Sequence, residues 1–376
     1  MIQETPSKAL PLPLLRPARF EDYPQIERLE SSHGLLTLRA DDWRGLWLDN
    51  PLWRRAGEEW PIGWVLEDAA GTVVGSLGNI PSLYTYRDGE LIAATGRGWV
   101  VASEYRGLAL WLMDEYFHQP AVDLFINTTV NALAVDAFSA LGSVRVPLGD
   151  WFTAAYWITR HCAFARAALR IKAVPLPGLL AIPAAALLRM KDAFRVRRLP
   201  APAASVVVER ADAFDARFDA FWIELVRQNP GKLLGVRDGR TLSWHFGRPI
   251  RAGQAWIFTA SRNQLLRAYC VLKRQDHPQS GLVRMRLVDY QNLEAEELLP
   301  GLLRAALERC QAEGIYALEH VGCDLPKMRS LDRCAPYRRK LPAWSFHYKA
   351  VDPALDADLR RPEVWDPSGF DGDASL

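Results

Sequence analysis

The chain has 376 residues, 49% hydrophobic and 24% charged, a globular composition with enough material for two domains. Its formal net charge of +2 supplies no global basic field, which argues against nucleic acid as a partner. The five cysteines (Cys162, Cys270, Cys310, Cys323, Cys334) are odd in number and scattered, without a CxxC pair or a histidine at ligand spacing. With no secretion-signal pattern at the start and no apolar run of 18 residues, the expectation is a reduced, metal-free cytoplasmic protein.

In chain order, "PLLRPARFEDYPQIERLE" (13–30) predicts a short strand ending at Pro17 and then a helix. Glu21 and Asp22 fall in its first turn, and Ile26 and Leu29 on its buried side. "WPIGWVLED" and "TVVGSLGNI" read as a hairpin. "SLYTYRDGELIAAT" repeats the device, with Asp88-Gly89 as the positive-φ residues of a tight turn. "GRGWVVAS" makes a fourth strand and runs through Arg106 and Gly107 into a helix. "LFINTT" is the next strand, and in "NALAVDAFSALG" Ala134, Phe138 and Leu141 share one helical face. Gly142 ends that helix and "VRVPL" resumes a strand.

These residues resemble a family. "LRPARFEDYPQIERL" looks like the first strand and helix of GCN5-related N-acetyltransferases (GNATs). "VASEYRG" resembles the end of their fourth strand, and "NALAVDAFSALGSVRV" is similar to their Asn-x-x-Ala-x-x-x-aromatic-x-x-x-Gly segment. The resemblance covers roughly residues 13 to 157. It implies acetyl-CoA or another acyl-CoA as co-substrate, its pyrophosphate held by backbone N–H groups at a glycine turn and by the positive end of the next helix. Carried onto this chain, the carrier-binding positions are Val100, Val101, Arg106, Gly107, Leu108, Ala109, Asn131 and Phe138.

A main-chain N–H near Val100 or Val101 would polarise the thioester carbonyl. Gly107-Leu108-Ala109 meets only part of the family's Gly-rich spacing, and the loop is about two residues short, which leaves room for acyl carrier protein as the donor. Phe138 stands where the family often has a tyrosine that protonates the departing thiolate. Glu104 is the carboxylate nearest the expected cleft and the candidate base, with a solvated loop charge as its competing role. Asn127 and Thr128 lie where the two central strands would splay, to bond acceptor or thioester amide or to satisfy strand-end backbone. Asn131 has helix capping as its competing role.

The same grammar returns after residue 200. "TLSWHFGRP" echoes "GLWLDNP", a hairpin follows in "AWIFTASRNQLLRAYCVLKR", then the strand "VRMRLVDY", a helix stripe on Leu298, Leu302, Ala306 and Cys310, and the strands "GIYALEHV" and "AWSFHYKA". The expected fold class is α+β: two tandem GNAT-like domains, each a mixed, mostly antiparallel sheet flanked by helices. The boundaries are 1–157 for the carrier-binding domain, 158–200 for a basic amphipathic linker, 201–352 for a degenerate copy, and 353–376 for a flexible tail. Glu294, Glu296 and Glu297, placed in the first turn of the later helix, would repel phosphate.

The linker sets nine basic residues between 160 and 198 against a single acid, Asp192. It reads as two short helices broken by Pro175, Pro177 and Pro183, either packed between sheets or lying on an anionic membrane. "INTTVNA" and "RVPLGDW" resemble family members of cell-surface polysaccharide and lipid-linked biosynthesis, which implies a small-molecule or lipid-linked amine as acceptor. The alternatives are a non-catalytic adaptor of an envelope complex and an aminoacyl transferase of the peptidoglycan-bridge type. The even charge balance argues against the tRNA groove that the latter needs.

Overall fold

The computed structural model describes residues 11–56, 60–149, 151, 153–195, 199, 201–294, 298–322, 325, 328, 331, 337–341 and 344–376. The first half runs β1 (Leu14–Pro17), α1 (Tyr23–Ser32), α2 (Ala40–Leu48), α3 (Pro51–Ala56), β2 (Gly63–Glu67), β3 (Val73–Tyr86), β4 (Gly89–Val101), α4 (Ala109–His118), β5 (Leu124–Asn131), α5 (Val135–Ala140) and β6 (Val144–Arg145). Arg16 holds the first strand to the first helix by pairing with Asp22 at 2.8 Å and with Glu67 of β2. In the β3–β4 hairpin the left-handed residue is Arg87 at φ 55°. Gly89 already pairs with Tyr86, so the positive φ expected of Asp88-Gly89 falls one position earlier.

The middle of the chain forms β7 (Thr153–Ile158), α6 (His161–Ile171) and α7 (Pro177–Arg195). Pro183 does not break its helix. It sits on the exposed face, where water can replace the hydrogen bond that its ring nitrogen cannot donate. The second half follows as β8 (Val206–Ala211), α8 (Ala216–Gln228), β9 (Leu234–Gly235), α9 (Gly239–Arg251), β10 (Ala255–Arg262), β11 (Leu265–Arg274), β12 (Arg284–Asn292), α10 (Leu299–Ala312), β13 (Ala317–Val321), β14 (Tyr337–Lys340), β15 (Trp344–Ala350) and α11 (Pro353–Leu359).

The strands form two mixed sheets, mostly antiparallel and flanked by helices. The first has the order β1-β2-β3-β4-β5-β15-β6, with β9 added on β3, and the second β14-β7-β13-β12-β11-β10-β8. Each sheet therefore borrows from the other half. β15 lies between β5 and β6, and β7 lies between β13 and β14. One apolar core joins them, with Tyr84, Leu124 and Ile126 of the first sheet packed in one cluster with Phe258, Leu272 and Leu302 of the second half. A separate core on the first half buries Trp43, Trp47, Trp60 and Trp64, so these tryptophans are structural.

Residues 353–376 are not the flexible tail that their composition suggests. After α11 the chain buries Val364, Trp365 and Phe370, and Asp371 is held by the Tyr84 hydroxyl at 2.9 Å. Two large aromatic rings leaving water, fixed by a buried polar contact, outweigh the entropy of ordering a short segment.

Candidate functional site

The parallel pairing of β4 and β5 lasts only three steps, Ala93–Leu124, Ala94–Phe125 and Thr95–Ile126, after which the strands separate. A bulge on β4 accompanies the parting. Arg97 faces Gly78 and Val100 faces Ser76 on β3, so Gly98 and Trp99 oppose the single residue Leu77. Such a bulge bends its strand and takes a backbone group out of the ladder. Gly98 adopts φ 65°, and a Cβ there would overlap the Glu30 carboxylate, so glycine is needed for both conformation and space. Glu30 is buried, which raises its pKa, and Arg97 stands 3.7 Å away.

Asn127 occupies the base of this V. Its Oδ1 accepts the Gly96 N–H at 3.2 Å and lies 3.4 Å from the Tyr116 hydroxyl, which donates to the Ala94 carbonyl at 2.9 Å. The acceptor role fixes which end of the amide is oxygen. Its Nδ2, on a side chain that is only 5% exposed, has no partner. A buried donor left unpaired costs about 1–3 kcal/mol.

Thr128 and Thr129 continue β5 and donate their hydroxyls to Asp373, at 3.4 Å from Thr128 and 3.0 Å from Thr129. A Cβ at Gly372 would overlap Thr128 Oγ1, so the C-terminal segment lies directly on β5. Burial holds the Asp373 carboxyl above the usual carboxylate range, against the opposing pull of Arg97 and the two threonines. Sequence reasoning singled out Asn127 and Thr128 but not Asp373, which the structure sets against Thr128. The segment "DGDASL" has no periodicity, and 245 residues separate Asp373 from Thr128.

The expected phosphate turn is a 3-10 stretch, Ser103–Leu108, leading straight into α4. Arg106 is exposed and has no ion pair among the described residues, and no side chain caps the first N–H groups of α4. Gly107 is outside the left-handed region and a Cβ there meets nothing within 4 Å, so neither strain nor internal packing calls for glycine. Leu108 and Ala109 carry the turn into the helix. Val100 and Val101 bury their side chains in the core of the first half.

Glu104 stands exposed on this turn, with no hydrogen bond to Asn127 or Thr128. Asn131 spends its Oδ1 on the N–H groups of Leu133 and Ala134, at 3.0 and 3.1 Å, and so caps the entry to α5. Phe138 is a core residue with ring centroids 6.1 Å from Trp99, 5.8 Å from Phe117 and 6.0 Å from His347.

A cleft of about 240 Å³ opens between the halves, from Tyr84 and Thr95 on one wall to Trp222, Asp238 and Trp244 on the other. Trp244 donates to the Gly45 carbonyl at 3.1 Å and Arg248 pairs with Asp49 at 2.6 Å, which fixes α9 against α2. Burial, with Lys273 nearby, lowers the His245 pKa to about 3. This imidazole is therefore neutral, and its Nε2 contacts Ser375 Oγ at 2.7 Å. Burial lowers Lys273 to about 8, and its Nζ donates to the Ser375 carbonyl at 2.6 Å.

The corresponding parting in the second sheet is filled. β12 and β13 pair from Arg284–Ala317 to Leu287–His320. Beyond them Asp289 binds Arg237 at 3.0 Å, Tyr269 at 3.0 Å and Ser368 at 2.7 Å, with Gly369 against the Val288 backbone. The first turn of α10 holds no acid. Glu294 precedes the helix and pairs with Arg262 at 2.9 Å, while Glu296 and Glu297 lie outside the described residues.

No protein-family model matches the sequence, and neither does any curated protein. Solved structures do match in fold. A GCN5-related N-acetyltransferase from Kribbella flavida aligns with a TM-score of 0.53 and 14% identity, over 92% of this chain and 72% of its own. One from Anabaena variabilis aligns with a TM-score of 0.51 and 11% identity, over 90% of this chain and 73% of its own. A tandem GNAT protein from the clavulanic acid biosynthesis pathway aligns with a TM-score of 0.49 and 16% identity, over 90% and 99%. The chain thus shares the fold of the first two of these structures.

Proposed function

We propose that the chain is an N-acyltransferase, taking an acyl group from acyl-CoA or from the same pantetheine arm on an acyl carrier protein and passing it to an amine. The observation that carries this reading is the parted β4–β5 pair with the unpaired Asn127 Nδ2 at its base. An amide-bearing arm laid between the strands would supply the missing acceptor. Arg106 and the exposed turn at Gly107 would take the phosphates, although the first N–H of α4, from Ala109, is already donated to the Arg106 carbonyl.

The cleft between the halves is the acceptor side, walled by the second half. In the reaction the amine nitrogen attacks the thioester carbonyl carbon, the carbon–sulfur bond breaks, and the amine loses a proton. Asp373 is better placed than Glu104 to receive that proton, because it is half-buried and hydrogen-bonded to Thr129 while Glu104 faces solvent. Phe138 offers no proton to the sulfur. The departing thiolate, whose thiol has a pKa near 8.5, can take its proton from solvent. The resemblance of "INTTVNA" and "RVPLGDW" supports an amino group on a sugar or envelope precursor as acceptor.

One observation favours a second reading. Gly372 and Asp373 lie on β5 where substrate would sit, as expected of an adaptor with a closed site. Calorimetry with acetyl-CoA, a longer acyl-CoA and acyl carrier protein separates the two. Binding of any one supports the transferase, and binding of none makes the adaptor the better account.

A further inference from the structure

The α6–α7 hairpin is apolar on two sides. Its inner side is closed by small residues, with Ala165, Ala181 and Ala185 packed in one cluster that lets the helices approach. Phe164 stacks on Tyr156 with ring centroids 5.8 Å apart, and Asp192 is held by His161 and Tyr337, both at 2.6 Å. The hairpin is thereby fixed to the β7–β14 edge of the second sheet.

The outer side of α7 carries a second stripe. Leu179, Ile182, Leu187 and Met190, with Pro183 and Ala186 between them, recur at helical spacing along a single face. These four large side chains are 54% to 70% exposed. At the turn Leu176 (68%) and Ile171 (54%) extend the patch, and Leu176 is held outward by a positive φ of 50°. Contiguous aliphatic surface of this kind marks an interaction site.

The charges say which kind. Arg166, Lys172 and Arg189 are exposed and have no partner among the described residues, and the hairpin's single acid, Asp192, is already engaged. Among the described side chains this face is aliphatic and shows none of the aromatic anchors that dominate protein–protein hot spots. A 19-residue helix is about 28 Å long, yet no helix among the described residues is long and apolar enough to cross a membrane. Lying flat in the interface is the mode that suits such a helix.

We propose that the α6–α7 hairpin docks the protein on anionic lipid, the Leu176–Met190 face entering the acyl boundary and the basic residues meeting headgroups. The test uses flotation of the intact protein with vesicles of neutral phosphatidylcholine and of phosphatidylcholine with phosphatidylglycerol. Binding is expected only with the anionic vesicles and falls as salt rises. Leu179→Ser with Leu187→Ser, both exposed and outside the inner cluster, should lower partitioning by more than about a hundredfold, since roughly six carbons are lost at about 0.8 kcal/mol per buried CH₂. Arg166→Glu with Arg189→Glu should lower it at least tenfold.

Equal partitioning of the serine variant and wild type would overturn the proposal. So would a concentration-dependent dimer, seen by light scattering without lipid and abolished by the same substitutions, because the face would then be covered by a second copy. The outcome is independent of acyl transfer, so failure here leaves the proposed activity standing.

Discussion

Asn127→Asp keeps the shape of the side chain and removes its N–H₂ donor. The retained oxygen still accepts from Gly96 N–H, the contact that measures 3.2 Å in the native protein. The second oxygen now faces whatever acceptor the ligand brings, so one hydrogen bond is lost and two lone pairs oppose each other. Leaving a buried acceptor unpaired costs about 1–3 kcal/mol, which at 1.4 kcal/mol per decade weakens carrier binding about 5- to 150-fold. The substitution has its own pH signature. Burial at this site disfavours the carboxylate, so as pH falls the new side chain gains a proton and becomes a donor again. The ratio of variant to wild-type Kd for acetyl-CoA, measured by calorimetry, should therefore shrink between pH 8 and pH 5. A Kd within twofold of wild type at pH 8, with thermal unfolding unchanged, would show that Nδ2 does not face the ligand and would remove the main support for the site.

Gly107→Glu places a side chain and a negative charge at the phosphate turn and should weaken acetyl-CoA binding by more than about tenfold, while Gly107→Ala leaves the thermal midpoint unchanged because its Cβ meets nothing. Gly98→Ala should lower the thermal midpoint by several degrees, since φ is 65° and the new methyl overlaps Glu30; a strained non-glycine residue there costs about 1–3 kcal/mol. Asp373→Asn should cut turnover by roughly 10² to 10⁴ with carrier affinity preserved, and Glu104→Gln should leave it near wild type; the reverse pattern in steady-state kinetics would return the base to Glu104. Because burial raises the Asp373 pKa, its contribution to stability is complete below the ordinary carboxylate range and is lost as pH rises through the raised value, whereas turnover by the ionised base rises over the same interval. Denaturant titrations and rate profiles from pH 4 to 8 should accordingly run in opposite directions.

What could be read from the sequence was local. The hairpins and the helix that follows Arg106-Gly107 come from short-range patterning, and each is present; Asn127, expected at a strand end, instead lies within β5, just past its last pairing with β4. The bulge was less legible, because one glycine in "GRGWVV" can mark either a bulge or an ordinary strand residue, and the contact that excludes a side chain comes from Glu30, far back in the chain. Asp373 and the buried Arg237–Asp289 pair were out of reach, since the partners of each are brought together only by tertiary packing. The closing of the second site was expected from acids near α10. In the structure it is filled instead by Asp289, Arg237 and the incoming residues Ser368 and Gly369.

The exchange of β7 and β15 bears on how this protein is made. Ser345 of β15 donates to the Val130 carbonyl across 215 residues, so the first sheet is incomplete until nearly the whole chain has left the ribosome. During synthesis β5 waits with an open edge, and the residues later joined to it are not yet translated. A fragment ending near residue 157 would retain that open edge and carry β7 away from its own sheet, and a fragment starting near 201 would lack β7. Neither fragment contains a complete sheet, so the two halves are expected to unfold together.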